Sequence, residues 1–82
     1  MYSVEFTQTA GKQFLKLPKK IQERVISVLE RIKERPFHFI KRKQETPYFI
    51  LRIGEYRAIL DIRRENSIIY IIEVGHRKNI YD

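Results

Sequence analysis

Hydrophobic side chains recur every three or four positions in PKKIQERVISVLERIKER, residues 18–35, where Lys, Arg and Glu fill most other places. This spacing predicts an amphipathic helix with one apolar stripe facing a core. The stripe consists of Ile21, Val25, Val28, Leu29 and Ile32. A shorter stripe that begins at Ala10 predicts a preceding helix, whose N-cap is Thr7 or Thr9. Pro18 either ends the first helix or opens the second, so together they form a hairpin.

The rest of the chain carries shorter runs that are typical of strands. One run precedes the helices and three follow them: residues 2–6, 48–53, 56–63 and 67–74. Gly54-Glu55 and Glu65-Asn66 separate the last three runs and supply the turns. Residues 36–47, which are bounded by two prolines, are interpreted as a connection.

This order of elements predicts an α+β fold in a single domain, residues 1–82. An N-terminal strand and a two-helix hairpin are followed by a three-strand antiparallel meander. The economical arrangement packs the helices on one face of the sheet. A chain of 82 residues has room for one small core.

Charge and composition narrow the classes of function. The chain has 17 Lys and Arg against 10 Asp and Glu, a net charge of +7, which favours a polyanionic partner and most often nucleic acid. It has no Cys, and no His or carboxylate set stands at metal-ligand spacing, so we expect neither a metal nor another cofactor. Because no apolar segment resembles a signal peptide or a membrane span, the expected location is the cytoplasm.

The predicted strand register gathers arginines on one face of the sheet. Arg52 lies opposite Arg57 if the first turn is centred on Gly54-Glu55, and Arg57 lies opposite Val74 if the second turn has two residues. Side-chain alternation then directs Arg52, Arg57 and Arg63 away from the helices. Since like charges repel unless an anion compensates them, this face is predicted to bind phosphate. Solvated arginines on a sheet edge are the alternative.

The last ten residues, EVGHRKNIYD, add more groups that suit phosphate chemistry. Gly75 is expected to turn the chain off the sheet and to aim His76, Arg77 and Tyr81 towards Arg57. RNA supplies its own nucleophile, the 2′-OH, so a metal-free enzyme must move two protons and stabilise a phosphorane. Arginine suits the second task, and His and Tyr suit the first. A polar tail of this kind is expected to contribute little to folding, even if truncated before Ile80.

The other cations are predicted to dock the protein on nucleic acid away from this cluster, through salt-dependent contacts with phosphates. The alternative is that they form the solvated side of the helices. They are Lys12, Lys16, Lys19, Lys20, Arg24, Lys41, Arg42 and Lys43.

Three stretches, FLKLPKKIQERVISVLERI, LRIGEYRAILDI and VGHRKNIYD, resemble the RelE/ParE family of toxins from type II toxin–antitoxin systems. The resemblance covers essentially the whole chain and implies a helical hairpin on a curved antiparallel sheet. For the RelE branch it implies an mRNA interferase, an endoribonuclease that cleaves mRNA in the ribosomal A site and inhibits translation. The implied partners are the ribosome, mRNA and an acidic RelB-like antitoxin. An acidic partner also fits the net charge and the apolar residues expected beside the arginines.

The same resemblance implies roles for particular residues. Arg57 in GEYR matches the arginine at the scissile phosphate, and Arg77 in VGHR matches a second catalytic arginine. Tyr81 matches a tyrosine that stacks on the substrate base, and His76 resembles an imidazole that acts as acid or base. The family's two lysines before LR are replaced here by Tyr48 and Ile50, and the tail is two residues shorter. Arg52 is next to those positions and can replace their charge but does not readily act as a base, so the resemblance assigns no general base.

Two other classes of function are compatible with these patterns. The ParE branch of the same family implies a toxin that inhibits DNA gyrase and is not a nuclease. A non-catalytic nucleic-acid-binding module would use the same basic face. His76 and Tyr81 beside two arginines favour RNA chemistry.

Overall fold

The computed structural model describes residues 1–80 and has two helices on one face of a five-stranded sheet. The elements are β1 (Ser3–Phe6), α1 (Gln8–Leu15), α2 (Lys19–Ile32), β2 (Ile40–Arg42), β3 (Phe49–Ile53), β4 (Tyr56–Arg63) and β5 (Ile68–His76). The strand order is β1-β5-β4-β3-β2, in which β1 runs parallel to β5 and the other neighbours are antiparallel. The predicted α+β fold is confirmed. Neither helix is long and apolar enough to cross a membrane.

The region predicted as a connection contains an additional edge strand. A short 3₁₀ helix, Pro36–His38, leads into β2, where Ile40 pairs with Leu51 and packs against the core. A three-residue strand that carries two cations has too short a pattern to be recognised in the sequence, and cross-strand pairing alone defines it.

The two helices begin as their sequences indicate. The Thr7 hydroxyl oxygen accepts a hydrogen bond from the Ala10 amide at 3.2 Å, so Thr7 and not Thr9 is the N-cap of α1. Pro18 opens α2, because its carbonyl accepts the amides of Ile21 and Gln22, both at 2.9 Å. The Gln22 side chain donates to the Leu17 carbonyl at 2.9 Å and fixes the corner between the helices.

The main core lies between the helices and the sheet. The helices contribute the apolar stripes that their spacing predicts, and the strands contribute alternate residues. The buried members are Ala10, Val25, Leu29, Ile32, Leu51, Ile53, Ala58, Leu60, Ile69, Ile71 and Val74. The helix-facing side of β3 and β4 is therefore as the alternation predicts.

A β-bulge in β5 changes the predicted face of its last residues. Leu60 pairs with Ile71, but its neighbour Ile59 pairs with Glu73, so Ile72 is an extra residue. Beyond the bulge Arg57 pairs with Gly75, and the predicted pairing with Val74 is wrong. An unbroken alternation would have directed Glu73 into the core. The bulge instead exposes Glu73 and buries Val74.

The Ile50–Ile59–Ile80 cluster is a second, smaller core on the opposite face of the sheet. Ile80 packs with Ile50 and Ile59 there. The exposed fraction is 5% for Ile80 and 2% for each of the other two. A turn brings Ile80 back over the sheet, with its amide bonded to the His76 carbonyl at 3.2 Å. A Cβ atom on Gly75 would lie 3.4 Å from Ile80, which shows that Ile80 packs closely against the end of β5. The expectation that Gly75 turns the chain off the sheet is wrong, since Gly75 lies within β5.

The β4–β5 turn is longer than predicted and places Ser67 in an unfavourable backbone conformation. It spans residues 64–67, and the Ser67 amide donates to the Arg64 carbonyl at 3.2 Å. Ser67 has φ +55°, a left-handed conformation that costs side-chain-bearing residues energy but suits glycine.

Ser67→Gly should therefore stabilise the protein by about 0.5–1 kcal/mol. Urea unfolding gives the free energy of unfolding for this comparison. The matched control is Ser27→Gly, at an exposed position in α2, which should destabilise the protein by about 0.5 kcal/mol. A loss of stability in Ser67→Gly equal to that of the control would contradict the conformational argument.

Ile80→Ala should destabilise the protein by about 2–3 kcal/mol, because it leaves a cavity over Ile50 and Ile59. This reverses the expectation that the tail is dispensable for folding. Asn79→Ala, at the exposed neighbouring position, should change the free energy of unfolding by less than about 0.5 kcal/mol. Equal unfolding midpoints for the two variants would show that the Ile80 packing is not significant for stability.

Candidate active site

Two arginines lie side by side where β3 and β4 meet their turn. Arg52 and Arg57 are direct cross-strand partners, as the sequence predicts. Their side chains are on the face away from the helices, where Arg52 is exposed and Arg57 is half-buried. Two guanidinium groups on neighbouring strands offer planar sets of donors that suit the oxygens of an anion.

Glu55 joins this end of the sheet to the C-terminal segment. Its backbone carbonyl accepts the Arg77 amide at 2.9 Å, and its carboxylate Oε2 lies 3.2 Å from Arg77 Nε. The spacing of residues along the chain does not indicate this carboxylate partner. The two side chains are 57% and 62% exposed, so the ion pair is expected to contribute only about 0–1 kcal/mol to stability.

His76 is the last residue of β5 and lies next to Tyr56. The two residues are cross-strand partners, and their rings meet edge to face with centroids 5.2 Å apart. The His76 Nδ1 atom accepts the Lys78 amide at 3.2 Å, and its Nε2 atom is 3.9 Å from the Glu55 carboxylate. Because a donor occupies Nδ1, the proton of the neutral ring is on Nε2.

The structure brings four of the predicted site residues to the end of the sheet beside the β3–β4 turn, but they do not all lie on the predicted face. They are Arg52, Arg57, His76 and Arg77. Arg57 is next to Gly75 on one face, and the next residue, His76, lies with Tyr56 on the helix-facing side. His76 therefore does not project from the face that carries Arg57. It meets Arg77 at the turn through Glu55. Tyr81 lies outside the described residues.

Arg63 belongs to a separate ion pair at the far end of β4. Its Nε atom donates to Asp61 Oδ2 at 3.0 Å. This hydrogen bond and the charge of Asp61 raise the pKa of the Arg63 guanidinium above its usual value. Arg63 shares a face with Arg57 but lies at the opposite end of β4.

Most of the predicted docking cations lie on the surface. Lys12, Lys16, Lys19, Lys20, Arg24, Lys41 and Arg42 are exposed, and Lys43 is half-buried. The prediction that all these cations lie away from the site is wrong for Arg24, which lies beside the β3–β4 turn. Its guanidinium packs against Gly54, where an added Cβ atom would be 2.8 Å from Arg24 Nη1. The β3–β4 turn therefore contacts Arg24 at Gly54 and Arg77 at Glu55.

The β3–β4 turn depends on glycine at its first position. Gly54 has φ +61°, and Ile53 pairs directly with Tyr56, so Gly54 and Glu55 form a two-residue turn. Across residues 1–80, no group of three or more His, Asp or Glu side chains is arranged to hold a metal ion. The chemistry available at this end of the sheet is that of guanidinium, imidazole and carboxylate groups.

Comparison with known proteins places the chain in a family. The sequence profile described as ParE toxin of type II toxin-antitoxin system, parDE, matches residues 4–81. No curated protein sequence matches the chain.

Solved structures of toxin–antitoxin complexes have the same fold. A chain of the RelBE2 complex from Mycobacterium tuberculosis is 32% identical, with a TM-score of 0.84 over 93% of this chain and 98% of that one. A chain of the RelE–RelB complex from Pyrococcus horikoshii is 21% identical, with a TM-score of 0.80 over 96% and 98%. For the intact E. coli RelBE complex the identity is 24% and the TM-score 0.79, over 93% and 96%. The protein therefore belongs to the ParE toxin family, within the RelE/ParE superfamily, and is a toxin of a type II toxin–antitoxin system.

Proposed function

We propose that this toxin is an endoribonuclease that cleaves mRNA in the ribosomal A site and thereby inhibits translation. The observation that carries the proposal is the cross-strand pair Arg52 and Arg57, with Arg77 at the same end of the sheet. The guanidinium groups of these three arginines suit a phosphodiester better than a neutral ligand. The 32% identity to a chain of the RelBE2 complex supports a RelE-type activity.

The arginines act on the phosphate in this mechanism. RNA supplies the 2′-OH as nucleophile. Its proton passes to solvent water as the oxygen attacks phosphorus, and negative charge develops on the phosphorane oxygens. Arg57 binds the scissile phosphate, Arg77 stabilises the developing charge, and Arg52 adds positive charge beside them. A guanidinium suits this task because it stays charged and offers a planar fork of donors to two oxygens.

His76 is the proposed acid that protonates the departing 5′ oxygen. In this step His76 acts in its imidazolium form, and its Nε2 atom lies at the turn with Arg77, 3.9 Å from the Glu55 carboxylate. Imidazole is the side chain best suited to proton transfer near neutral pH. We propose that Tyr81 stacks on the substrate base, which would hold the nucleotide in place for the reaction.

The exposed cations on the helices and on β2 are proposed to contact ribosomal RNA. Such contacts with phosphates are independent of base sequence and weaken as salt concentration rises. Because the Arg24 guanidinium packs against Gly54, a contact between Arg24 and RNA would lie next to the proposed catalytic residues. Lys41 pairs with Ile50 and so lies on the same face of the sheet as Arg57.

The proposed protein partner is an acidic antitoxin of the RelB type. Solved relatives are complexes of a RelE-type toxin with an antitoxin, and the net charge of +7 favours an acidic partner. The apolar patch expected on the open face is smaller than predicted, because Ile80 covers Ile50 and Ile59. Ile68, Tyr70 and Ile72 remain half-buried and available for apolar contact.

Inhibition of DNA gyrase is the second candidate function. The family description that matches residues 4–81 is that of a ParE toxin. The ParE branch is the one for which the sequence resemblance implies this activity. The two functions are separated by parallel assays of mRNA cleavage on programmed ribosomes and of gyrase supercoiling.

Arg57→Ala and Arg77→Ala should each reduce the rate of ribosomal mRNA cleavage by about 10²–10³-fold, because each removes a charged donor from the phosphorane. Arg77→Lys should recover only part of the rate, since an ammonium lacks the planar fork. Primer extension on programmed ribosomes measures the cleavage. The matched control is Lys19→Ala, an exposed helix residue, which should change cleavage only modestly. Supercoiling inhibition without cleavage by the wild type would instead identify a gyrase inhibitor.

Cleavage should proceed without added metal and leave a 2′,3′-cyclic phosphate and a 5′-OH, because the substrate provides the nucleophile. Chromatography of the products identifies the termini. The reaction is compared with and without EDTA at a magnesium level that keeps the ribosomes intact, and sedimentation verifies their integrity. Loss of activity that another divalent ion restores would refute a metal-independent mechanism.

A further inference from the structure

Glu55 is the carboxylate that the structure brings against Arg77, and it makes two kinds of contact there. Its backbone carbonyl bonds the Arg77 amide at 2.9 Å, which attaches the C-terminal segment to the β3–β4 turn. Its side chain forms a separate ion pair at 3.2 Å. A substitution that changes only the side chain therefore alters the charge and keeps the backbone attachment.

The β3–β4 turn holds the backbone of Glu55 in place, whereas the Glu55 carboxylate is exposed to solvent. The turn is anchored by the Ile53–Tyr56 pairing and by Arg24 packed against Gly54. The Glu55 and Arg77 side chains are mostly exposed, at 62% and 57%. Water and ions reach this pair, so another anion can replace the carboxylate without breaking any buried contact.

An RNA phosphate and the Glu55 carboxylate require the same guanidinium. Both are anions with paired oxygens, and Arg77 binds either through the same donors. The second neighbour of the carboxylate, His76 Nε2, is 3.9 Å away, so Glu55 lies where the two proposed catalytic side chains meet. While Glu55 remains in place, an incoming phosphate meets a negative charge as well as the cations.

We propose that Glu55 is an internal competitor of the RNA phosphate: it holds Arg77 in the free toxin and gives it up when RNA binds. The inference rests on the proposed function, because it takes Arg77 to be a phosphate ligand. It makes Glu55 a positioning residue, which acts through Arg77 and limits the affinity of the free site for polyanions.

The test compares affinities for a short single-stranded RNA with 2′-O-methyl groups, which cannot be cleaved, by fluorescence anisotropy at low salt. Glu55→Gln should bind about two- to fivefold more tightly than the wild type. Glu55→Asp keeps the charge and should stay near the wild type. The matched control is Glu65→Gln, which removes one exposed carboxylate from the β4–β5 turn at the other end of β4.

A double-mutant cycle with Arg77→Ala shows whether the effect acts through the pair. The gain from Glu55→Gln should disappear when Arg77 is absent. The proposal is overturned if Glu55→Gln binds no more tightly than Glu65→Gln, or if its gain persists without Arg77. In either case a lower affinity of Arg77→Ala alone would leave the proposed function standing. Unchanged affinity and cleavage in Arg77→Ala would remove the proposed role of Arg77 and this inference with it.

Discussion

The extra residue in β5 determines which side chains form the core and which form the site. Without the bulge at Ile72, Val74 would leave the core and Glu73 would enter it. The bulge also places Gly75 beside Arg57 and His76 beside Tyr56. Since the side-chain period of a strand is two, one inserted residue reverses every face that follows it.

The bulge occurs where the neighbour of β5 changes from the strand β1 to the helix α1. Residues 68–71 pair with β1, which ends at Phe6, and the chain that follows β1 leaves the sheet to form α1. Gln13 of α1 takes over from the missing strand, because its side-chain oxygen accepts the Val74 amide at 2.9 Å. A helix side chain thus satisfies a backbone donor beyond the end of β1, which allows β5 to continue to His76.

Local patterns in the sequence predict much of this architecture. The apolar stripe of α2 and the pairing of Arg52 with Arg57 depend only on nearby residues, and both are found in the structure. The bulge is different, because apolar residues at both Ile71 and Ile72 hide the break in alternation. The partnership of Glu55 with Arg77 depends on that bulge, so it could not be inferred from spacing. Ile80 looked like part of a polar tail because its neighbours in sequence are polar, whereas its partners in space are Ile50 and Ile59.

The parallel pairing of β1 with β5 links the first strand of the fold to the last. Ser3 is matched with Ile68, and Phe6 with Ile71, so this edge of the sheet cannot form until both strands have been synthesised. During synthesis β1 has no strand partner while the helices and the meander are being made. Contacts between such distant residues also form slowly, since a long loop must close first. The complete sheet, and with it the position of Arg77 beside the β3–β4 turn, can therefore form only after β5 has left the ribosome.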